Sequence, residues 1–351
     1  MKIVQIATFE ESIPPKKYGG VELVVYNIIQ ELIKRGHQVS LIASGDSKTK
    51  ARLLPIFPKA LRIYPEAQNI KTRDSLKFIG VGKVLEHLKN IDVDIIHNHL
   101  GWRLLAFSPI IETPIVTTLH GPLYPAYQKL VYGKFKKNNY VSISKNQREP
   151  FPDLNYVGNV YNGIDTSIFP FNKTPKNYLA FLGRMSPEKG PIEAIKIAKK
   201  AKMELIMAAK VDIVDKKYFE EQVKPLIDGK QIKFIGEVNH KGKIKLLKNA
   251  KALIAPIQWR EPFGLFLIEP MACGTPTIVF NRGSAKEIVK DGKTGFVVKN
   301  INEAVAAIKK IDQIDRKECQ KHVEKNFSIE KMTDGYEKIY NDILKKKNEM
   351  L

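Results

Sequence analysis

One plan runs through this 351-residue chain twice, and that repetition constrains its fold more than any other feature. A short apolar strand, a glycine-bearing loop, an amphipathic helix and a second strand open the chain, and the same succession restarts near residue 178. In the first pass residues 2–7 read as a strand, 10–20 as a loop ending in Gly19-Gly20, 21–35 as a helix and 38–43 as a strand. Leu23, Val24, Asn27, Ile28, Glu31 and Leu32 recur at helical spacing, and Gly36 closes that helix. Residues 93–97, 115–119 and 141–144 continue the strands, with a helical stretch over 82–88. In the second pass strands fall at 178–182, 204–208, 232–235, 252–255 and 277–280, and helices at 191–202, 241–248 and 264–273. Strands alternating with helices predict an α/β fold with parallel sheets covered on both faces. Ligands of such sheets bind beyond the carboxyl ends of the strands, so two units in series predict a cleft between them as the site. The boundary is expected near 169–175, where Pro170, Asn172, Lys173 and Pro175 interrupt both periodicities. The expected domains are 1–170 and 171–328, with 329–351 a helix crossing back to the first.

The length suits two domains, and 43% hydrophobic with 27% charged residues is the balance of a soluble globular chain. Met1-Lys2-Ile3-Val4-Gln5-Ile6-Ala7 reads as a strand, because its apolar stretch is too short for a signal peptide and no small-residue cleavage site follows. No apolar run reaches the roughly 18 residues of a membrane span. Cys273 and Cys319 form neither a metal-ligand spacing nor a disulfide framework, which points to a reducing cytoplasm. The formal net charge is +21, with 22 Lys+Arg against 14 Asp+Glu in residues 1–170 and 36 against 23 beyond. An excess spread so evenly suits a plain solvated surface as well as an anionic partner, whether a nucleotide, a phospholipid face or nucleic acid.

The densest chemistry lies in Trp259-Arg260-Glu261-Pro262-Phe263-Gly264-Leu265-Phe266-Leu267-Ile268-Glu269. Glu261 precedes a helix start, where a carboxylate can simply compensate the helix dipole. Glu269 lies inside that helix among Leu265, Leu267, Ile268 and Met271, so its carboxylate needs a partner. A pair of sugar hydroxyls is one such partner, since a carboxylate accepts two hydrogen bonds. Gly183-Arg184-Met185-Ser186-Pro187-Glu188-Lys189-Gly190 sets two cations between a strand end and a helix start. Cations beside free helix N–H groups make a diphosphate site, although two surface cations in an ordinary loop look the same. In Lys17-Tyr18-Gly19-Gly20-Val21-Glu22 adjacent glycines let backbone approach a ligand at the first helix start. His97-Asn98-His99 and Thr117-Thr118-Leu119-His120-Gly121 follow strand ends, where a histidine is more often packed than catalytic. Their spacing is too short for zinc, and no cysteine or carboxylate cluster joins them.

The run from Trp259 to Glu269, continued by Ala272-Cys273-Gly274-Thr275-Pro276, resembles family 4 of the retaining glycosyltransferases, of group 1 type. That family is marked by a Glu, seven residues and a Glu, and the resemblance covers essentially the whole chain. It implies the GT-B architecture, two Rossmann-like domains with parallel sheets facing an interdomain cleft. It also implies transfer of a sugar, with retention of anomeric configuration, from a UDP- or GDP-linked nucleotide sugar to an oligosaccharide, lipid-linked or small-molecule acceptor. No metal and no other cofactor is implied. By this resemblance Glu261 holds a hydroxyl of the donor sugar and Glu269 the ribose, with Phe263, Gly264 and Leu265 lining the donor. Arg184 and Lys189 grip the diphosphate and stabilise charge on the leaving nucleotide. Gly19 and Gly20 face the phosphates, His120 stands beside the donor sugar, and Lys17, Tyr18 and His99 lie towards the acceptor. His120, Arg184, Lys189 and Glu261 are thus the expected catalytic set, with His97 left to packing. Asn162-Gly163-Ile164-Asp165 matches a further family motif and reads as a turn supporting a hinge. Pro270 stands where the family usually has Ala; it removes a backbone donor and is expected to bend the helix just after Glu269.

Two motifs are set aside. Asp92-Val93-Asp94 spells the signature of metal-dependent glycosyltransferases of the other major fold, but it precedes a strand and is read as no metal site. Asn172-Lys173-Thr174 and Asn326-Phe327-Ser328 spell glycosylation acceptors, which carry no weight in a cytoplasmic chain. A GT-B epimerase is disfavoured by the paired glutamates, a sugar phosphorylase stays open, and no recognised nucleic-acid module or stacking motif occurs. The acceptor is not legible, though residues 55–77 and 123–137 are expected to line its side. The charge excess leaves an anionic membrane face as an expected partner of a cytoplasmic, peripheral protein.

Overall fold

The computed structural model describes residues 1–16 and 19–350, so the expectations placed on Lys17 and Tyr18 lie outside the described residues. The chain forms two compact units, Met1–Gly163 with Ile329–Leu351, and Ile164–Ser328. In the first unit seven strands make one sheet: β1 (Lys2–Ile6), β2 (Gln38–Ala43), β3 (Arg52–Pro55), β4 (Ile95–Asn98), β5 (Ile115–Leu119), β6 (Asn139–Ser142) and β7 (Tyr156–Asn159). Their order is β3-β2-β1-β4-β5-β6-β7, with every neighbouring pair parallel. In the second unit β8 (Tyr178–Arg184), β9 (Glu204–Lys210), β10 (Ile232–Phe234), β11 (Ala252–Ala255), β12 (Thr277–Phe280) and β13 (Gly295–Val298) form a parallel sheet in the order β10-β9-β8-β11-β12-β13.

These are the parallel α/β layers that the alternating pattern predicts, and the central strands show why. All residues of β4, β5, β11 and β12 are buried, as in a sheet covered on both faces. In each unit the strand order reverses direction beside the first strand, between β1 and β4 and between β8 and β11. Such a switch point opens a crevice at the carboxyl ends of the two strands. The first helix, Gly20–Lys34, buries Val24, Val25, Ile28, Ile29 and Leu32. It stops where Gly36 takes φ +85°, returning the N–H groups of Gly36 and His37 to the carbonyls of Ile33 and Leu32 at 3.0 Å each.

The C-terminal helix, Ile329–Met350, packs on the first unit. Tyr336 and Tyr340 are fully buried, and Arg35 pairs with Asp334 at 2.9 Å and with Glu337. Gly158 of β7 has no room for a side chain, since a Cβ there would lie 2.4 Å from Ile339 Cδ1. The chain leaves the first unit after Gly163, whose carbonyl accepts from Asn27 Nδ2 at 3.2 Å, and returns after Ser328. Ile164 and Ser328 pair side by side as a parallel bridge, with Ile164 N–H on the Phe327 carbonyl at 2.9 Å.

The first crossing therefore comes earlier than the expected 170/171. Pro170 and Pro175 interrupt periodicity, but the segment between them already belongs to the second unit. Phe169 is buried against His240 at 5.7 Å between ring centres, and Asn172 bonds Cys273 and Lys248. The expected loop 55–77 is also shortened, because a helix runs over Ile70–Lys89 with Asn69 accepting from Thr72 N–H at 3.2 Å. A helix Ala126–Tyr132 lies inside the expected loop 123–137. β8 runs on to Arg184, so that residue closes a strand rather than opening a loop. Pro270 is accommodated inside the helix Leu265–Ala272, which continues past it. Among the described residues no helix is long and apolar enough to cross a membrane.

Candidate functional site

In the second unit the expected donor-side residues gather at the switch point between β8 and β11. Arg184 ends β8, and Pro187–Lys189 form a single turn that closes on Gly190. Gly190 takes φ +70°, and a Cβ there would lie 2.1 Å from the Pro256 carbonyl oxygen, so only glycine lets this turn meet the loop after β11. The contact brings Lys189 to Glu261: Nζ donates to Oε2 at 2.5 Å, and Trp259 Nε1 donates to the same oxygen at 3.0 Å. Lys189 Nζ also lies 4.2 Å from the ring centre of Phe266 and 5.5 Å from that of Trp259. Glu261 is 8% exposed, and its Oε1 accepts no hydrogen bond among the described residues.

The loop from Pro262 to Gly264 then enters the helix Leu265–Ala272. Phe263 is buried, its carbonyl accepts from Ser284 Oγ at 2.7 Å, and Gly264 caps the helix at φ +88° with no side-chain cap. The first N–H groups of this helix are thus left without a side-chain acceptor. Glu269 is 4% exposed and accepts from Lys243 Nζ on Oε1, while Oε2 has no partner among the described residues. Lys243 stands in the first turns of the helix His240–Asn249 and was not anticipated. Each paired glutamate therefore has one oxygen on a lysine and the other open.

Arg184 is not bare either. Its Nε lies 2.9 Å from Asp215 Oδ2, though not aligned as a hydrogen bond, and its Nη2 lies 3.6 Å from Glu188 Oε1. Burial pushes the Asp215 carboxyl up, against the pull of Arg184. Both expected phosphate ligands thus rest on carboxylates, Arg184 on Asp215 and Glu188 and Lys189 on Glu261. Asp215 follows β9, where nothing in the local pattern marked it.

In the first unit Gly19 and Gly20 begin the helix Gly20–Lys34, again without a side-chain cap. Gly19 is extended, with φ 178°, and a Cβ there would meet Pro15 Cβ at 2.6 Å. Its lack of a side chain is thus required by Pro15 packing. Thr8 Oγ1 donates to Glu22 in the first turn, and burial raises the Glu22 carboxyl. At the switch point between β1 and β4, His99 Nδ1 and His120 Nε2 stand 2.8 Å apart. His99 Nε2 lies 2.8 Å from Gln5 Oε1, Gln5 Nε2 donates to Tyr340 Oη at 3.3 Å, and that hydroxyl reaches His97 Nδ1 at 2.6 Å. His97 Nε2 bonds Thr118 Oγ1 at 2.7 Å, and Thr118 bonds Tyr336 at 3.0 Å. Burial holds His97 and His99 well below the usual histidine range and pushes His120 down to about 4, so all three imidazoles are neutral. His97, expected only to pack, is thus joined to the other two. Asp92 and Asp94 take the side chain and backbone N–H of Lys2, at 2.5 and 2.7 Å.

The Arg184–Lys189–Glu261 cluster and the histidine cluster both occupy the strand-end positions where α/β sheets hold ligands. Comparison with known proteins agrees in kind. A family model described as "Glycosyl transferases group 1" matches residues 164–328, and one described as "Glycosyltransferase Family 4" matches residues 18–168. An uncharacterized glycosyltransferase of Methanocaldococcus jannaschii is 25% identical over 345 residues, covering 84% of this chain and 85% of that protein. The N-acetyl-alpha-D-glucosaminyl L-malate synthase of Bacillus anthracis is 24% identical, covering 93% and 95%. The crystal structure of Anabaena HepE in complex with UDP and glucose aligns with a TM-score of 0.73 at 18% identity, covering 97% and 100%. The group 1 model ends where the second unit ends, and with the other it spans residues 18–328. The fold is GT-B, and the chain belongs to the family 4, group 1 glycosyltransferases.

Proposed function

We propose that the second unit binds a UDP- or GDP-linked sugar and that the chain transfers this sugar with retention and without a metal. The supporting observation is the cluster itself: Arg184 and Lys189 beside uncapped helix starts, with Glu261 and Glu269 each offering one open oxygen. Glu261 Oε1 takes a hydroxyl of the sugar, and Glu269, steadied by Lys243, takes the ribose. Arg184 and Lys189 exchange their carboxylates for the diphosphate and stabilise the charge that grows on it as the glycosidic bond breaks. Glu261 is held by Lys189 and Trp259, which suits it to positioning rather than to nucleophilic attack. The acceptor hydroxyl therefore attacks the anomeric carbon from the face the diphosphate leaves, and its proton passes to the departing phosphate oxygen. His120 contacts a hydroxyl of the transferred sugar. The UDP and glucose bound by the Anabaena protein support a donor of this class.

A thermal-shift screen of UDP- and GDP-sugars tests this reading. One donor should stabilise the fold, by about 2.7 kcal/mol at a hundred times its Kd, and should turn over in EDTA. Absence of any stabilisation removes the donor site. Turnover lost to EDTA and restored by magnesium overturns the metal-free reading and returns attention to Asp92 and Asp94.

An anionic membrane face is proposed on the acceptor side. Tyr127 and Leu130 on the helix Ala126–Tyr132 are 60% and 68% exposed, and Lys129, Lys134 and Lys137 are exposed in and just after that helix. Exposed apolar side chains with exposed lysines in the same segment fit a negatively charged interface.

A further inference from the structure

We propose that Gln5 is a positioning residue, whose side-chain amide sets the proton order of the histidine chain and so fixes which nitrogen His120 presents to a sugar hydroxyl. Gln5 is a fully buried polar residue in the apolar strand β1, opposite His97 in the register of β1 and β4. Among the described residues it is the one hydrogen-bonding link between the two arms of the chain: His99 and His120 on one side, Tyr340, His97, Thr118 and Tyr336 on the other. The His97 and His99 rings also touch, at 4.0 Å between centres.

The order follows from counting protons. A neutral imidazole carries one N–H, so each of its nitrogens is either donor or acceptor. With the amide oxygen on His99, that ring donates from Nε2 and its Nδ1 is bare. His120 must then donate from Nε2 into that bare nitrogen, which leaves its own Nδ1 as an acceptor. On the other side the amide N–H of Gln5 occupies a lone pair of Tyr340, whose hydroxyl proton goes to His97 Nδ1. His97 then donates from Nε2 to Thr118. Turning the amide over reverses every one of these bonds and gives His120 a donating Nδ1–H instead. His120 Nδ1 has no partner among the described residues, so its character is what a ligand would meet. Neutrality of the three rings, held by burial, is what makes the order binary. The C-terminal helix thereby acts on His120 through Tyr340 and Gln5.

The role given to His120 rests on the proposed function; the proton order does not, and the test separates them. Long-range ¹H–¹⁵N spectra of ¹⁵N-histidine protein without ligand, assigned by single histidine substitutions, should show His97, His99 and His120 each carrying its proton on Nε2. In Gln5→Met the hydroxyl of Tyr340 still serves His97, so His97 should stay fixed. His99 and His120 should move together to averaged shifts between the two tautomers. If Gln5→Met does not fold, Tyr340→Phe frees the amide from the opposite end and should average the shifts of all three. Wild-type rings with the proton on Nδ1, or His99 and His120 unmoved in the variant, overturn the proposal. Kinetics with UDP-glucose or GDP-mannose, whichever turns over, supply the second arm: kcat should fall in Gln5→Met with little change in donor KM. Averaged tautomers with wild-type kcat would keep the proton order and remove His120 from the sugar.

Discussion

Truncating Arg184 and truncating Lys189 should have different consequences, because the two cations are held differently. Arg184 keeps a third of its side chain exposed, while Lys189 is 11% exposed against Glu261 and stacked on Phe266. Arg184→Ala should lower kcat by about 100-fold, the scale of losing one preorganised charge donor, with a smaller rise in KM. A raised KM at wild-type kcat would instead make it a ground-state ligand. Lys189→Ala should in addition cost about 3 kcal/mol of stability, since it leaves Glu261 nearly buried and unpaired by charge. A melt unchanged by that substitution would show the pair to be dispensable. Glu269→Gln keeps the shape facing Lys243 but removes the charge; donor affinity by calorimetry should drop roughly tenfold, the equivalent of about 1.4 kcal/mol. Unaltered affinity would take Glu269 out of the ribose site. Glu261 and Glu269 were legible because they stand in one contiguous, family-specific run. Lys243 and Asp215 were not read as partners of the site, since their roles come from folding distant segments together, whereas Trp259 stands in the quoted run two residues before the Glu261 it holds. Gln5 did leave a sign, a polar residue inside Ile3-Val4-Gln5-Ile6, but its partners Tyr340 and His99 are far along the chain.

At the scale of elements, the buried histidines tie the strand ends to the C-terminal helix and make the first unit acid-sensitive. His97 and His99 are neutral in the fold, whereas in the unfolded chain they take up protons below about pH 6.5. The unfolded state thus binds more protons there, so stability present above pH 6.5 is lost as pH falls towards the much lower folded values. Each ring contributes a slope approaching about 1.4 kcal/mol per pH unit once it is fully protonated in the unfolded state. The melting temperature should therefore decline from pH 7 to 5; a flat profile would mean that the rings titrate inside the fold. Long amphipathic elements such as Gly20–Lys34 and the strands β1, β2 and β11 could be read from periodicity alone. β3, β7 and β13 could not, because Pro55 interrupts the first, Gly158 and Asn159 the second, and Gly295 opens the third. The helix Ile70–Lys89 was found only in part, because its exposed Ile70, Phe78 and Ile79 blur the apolar stripe that marks a helix.

Across the whole molecule the charge of +21 is expected to act in concert with the exposed Tyr127 and Leu130. The chain should sediment with anionic liposomes at low salt and partly at physiological salt, and Leu130→Glu should release it at both. No sedimentation at either salt would leave the lysines as a solvated surface. A different consequence follows from the paired crossing at Ile164 and Ser328. One half of the enzyme is encoded as a single uninterrupted cassette, and the other is stitched from two pieces whose ends that cassette joins. Exchanging residues 164–328 for the matching stretch of a relative is then a graft with only two junctions, both in one place. Donor preference should travel with the graft, read as the nucleotide sugar that most raises the melting temperature of the chimera. A chimera that keeps its original preference would assign the choice of base and sugar to the recipient half, and recombination between relatives could not then trade donors by this route.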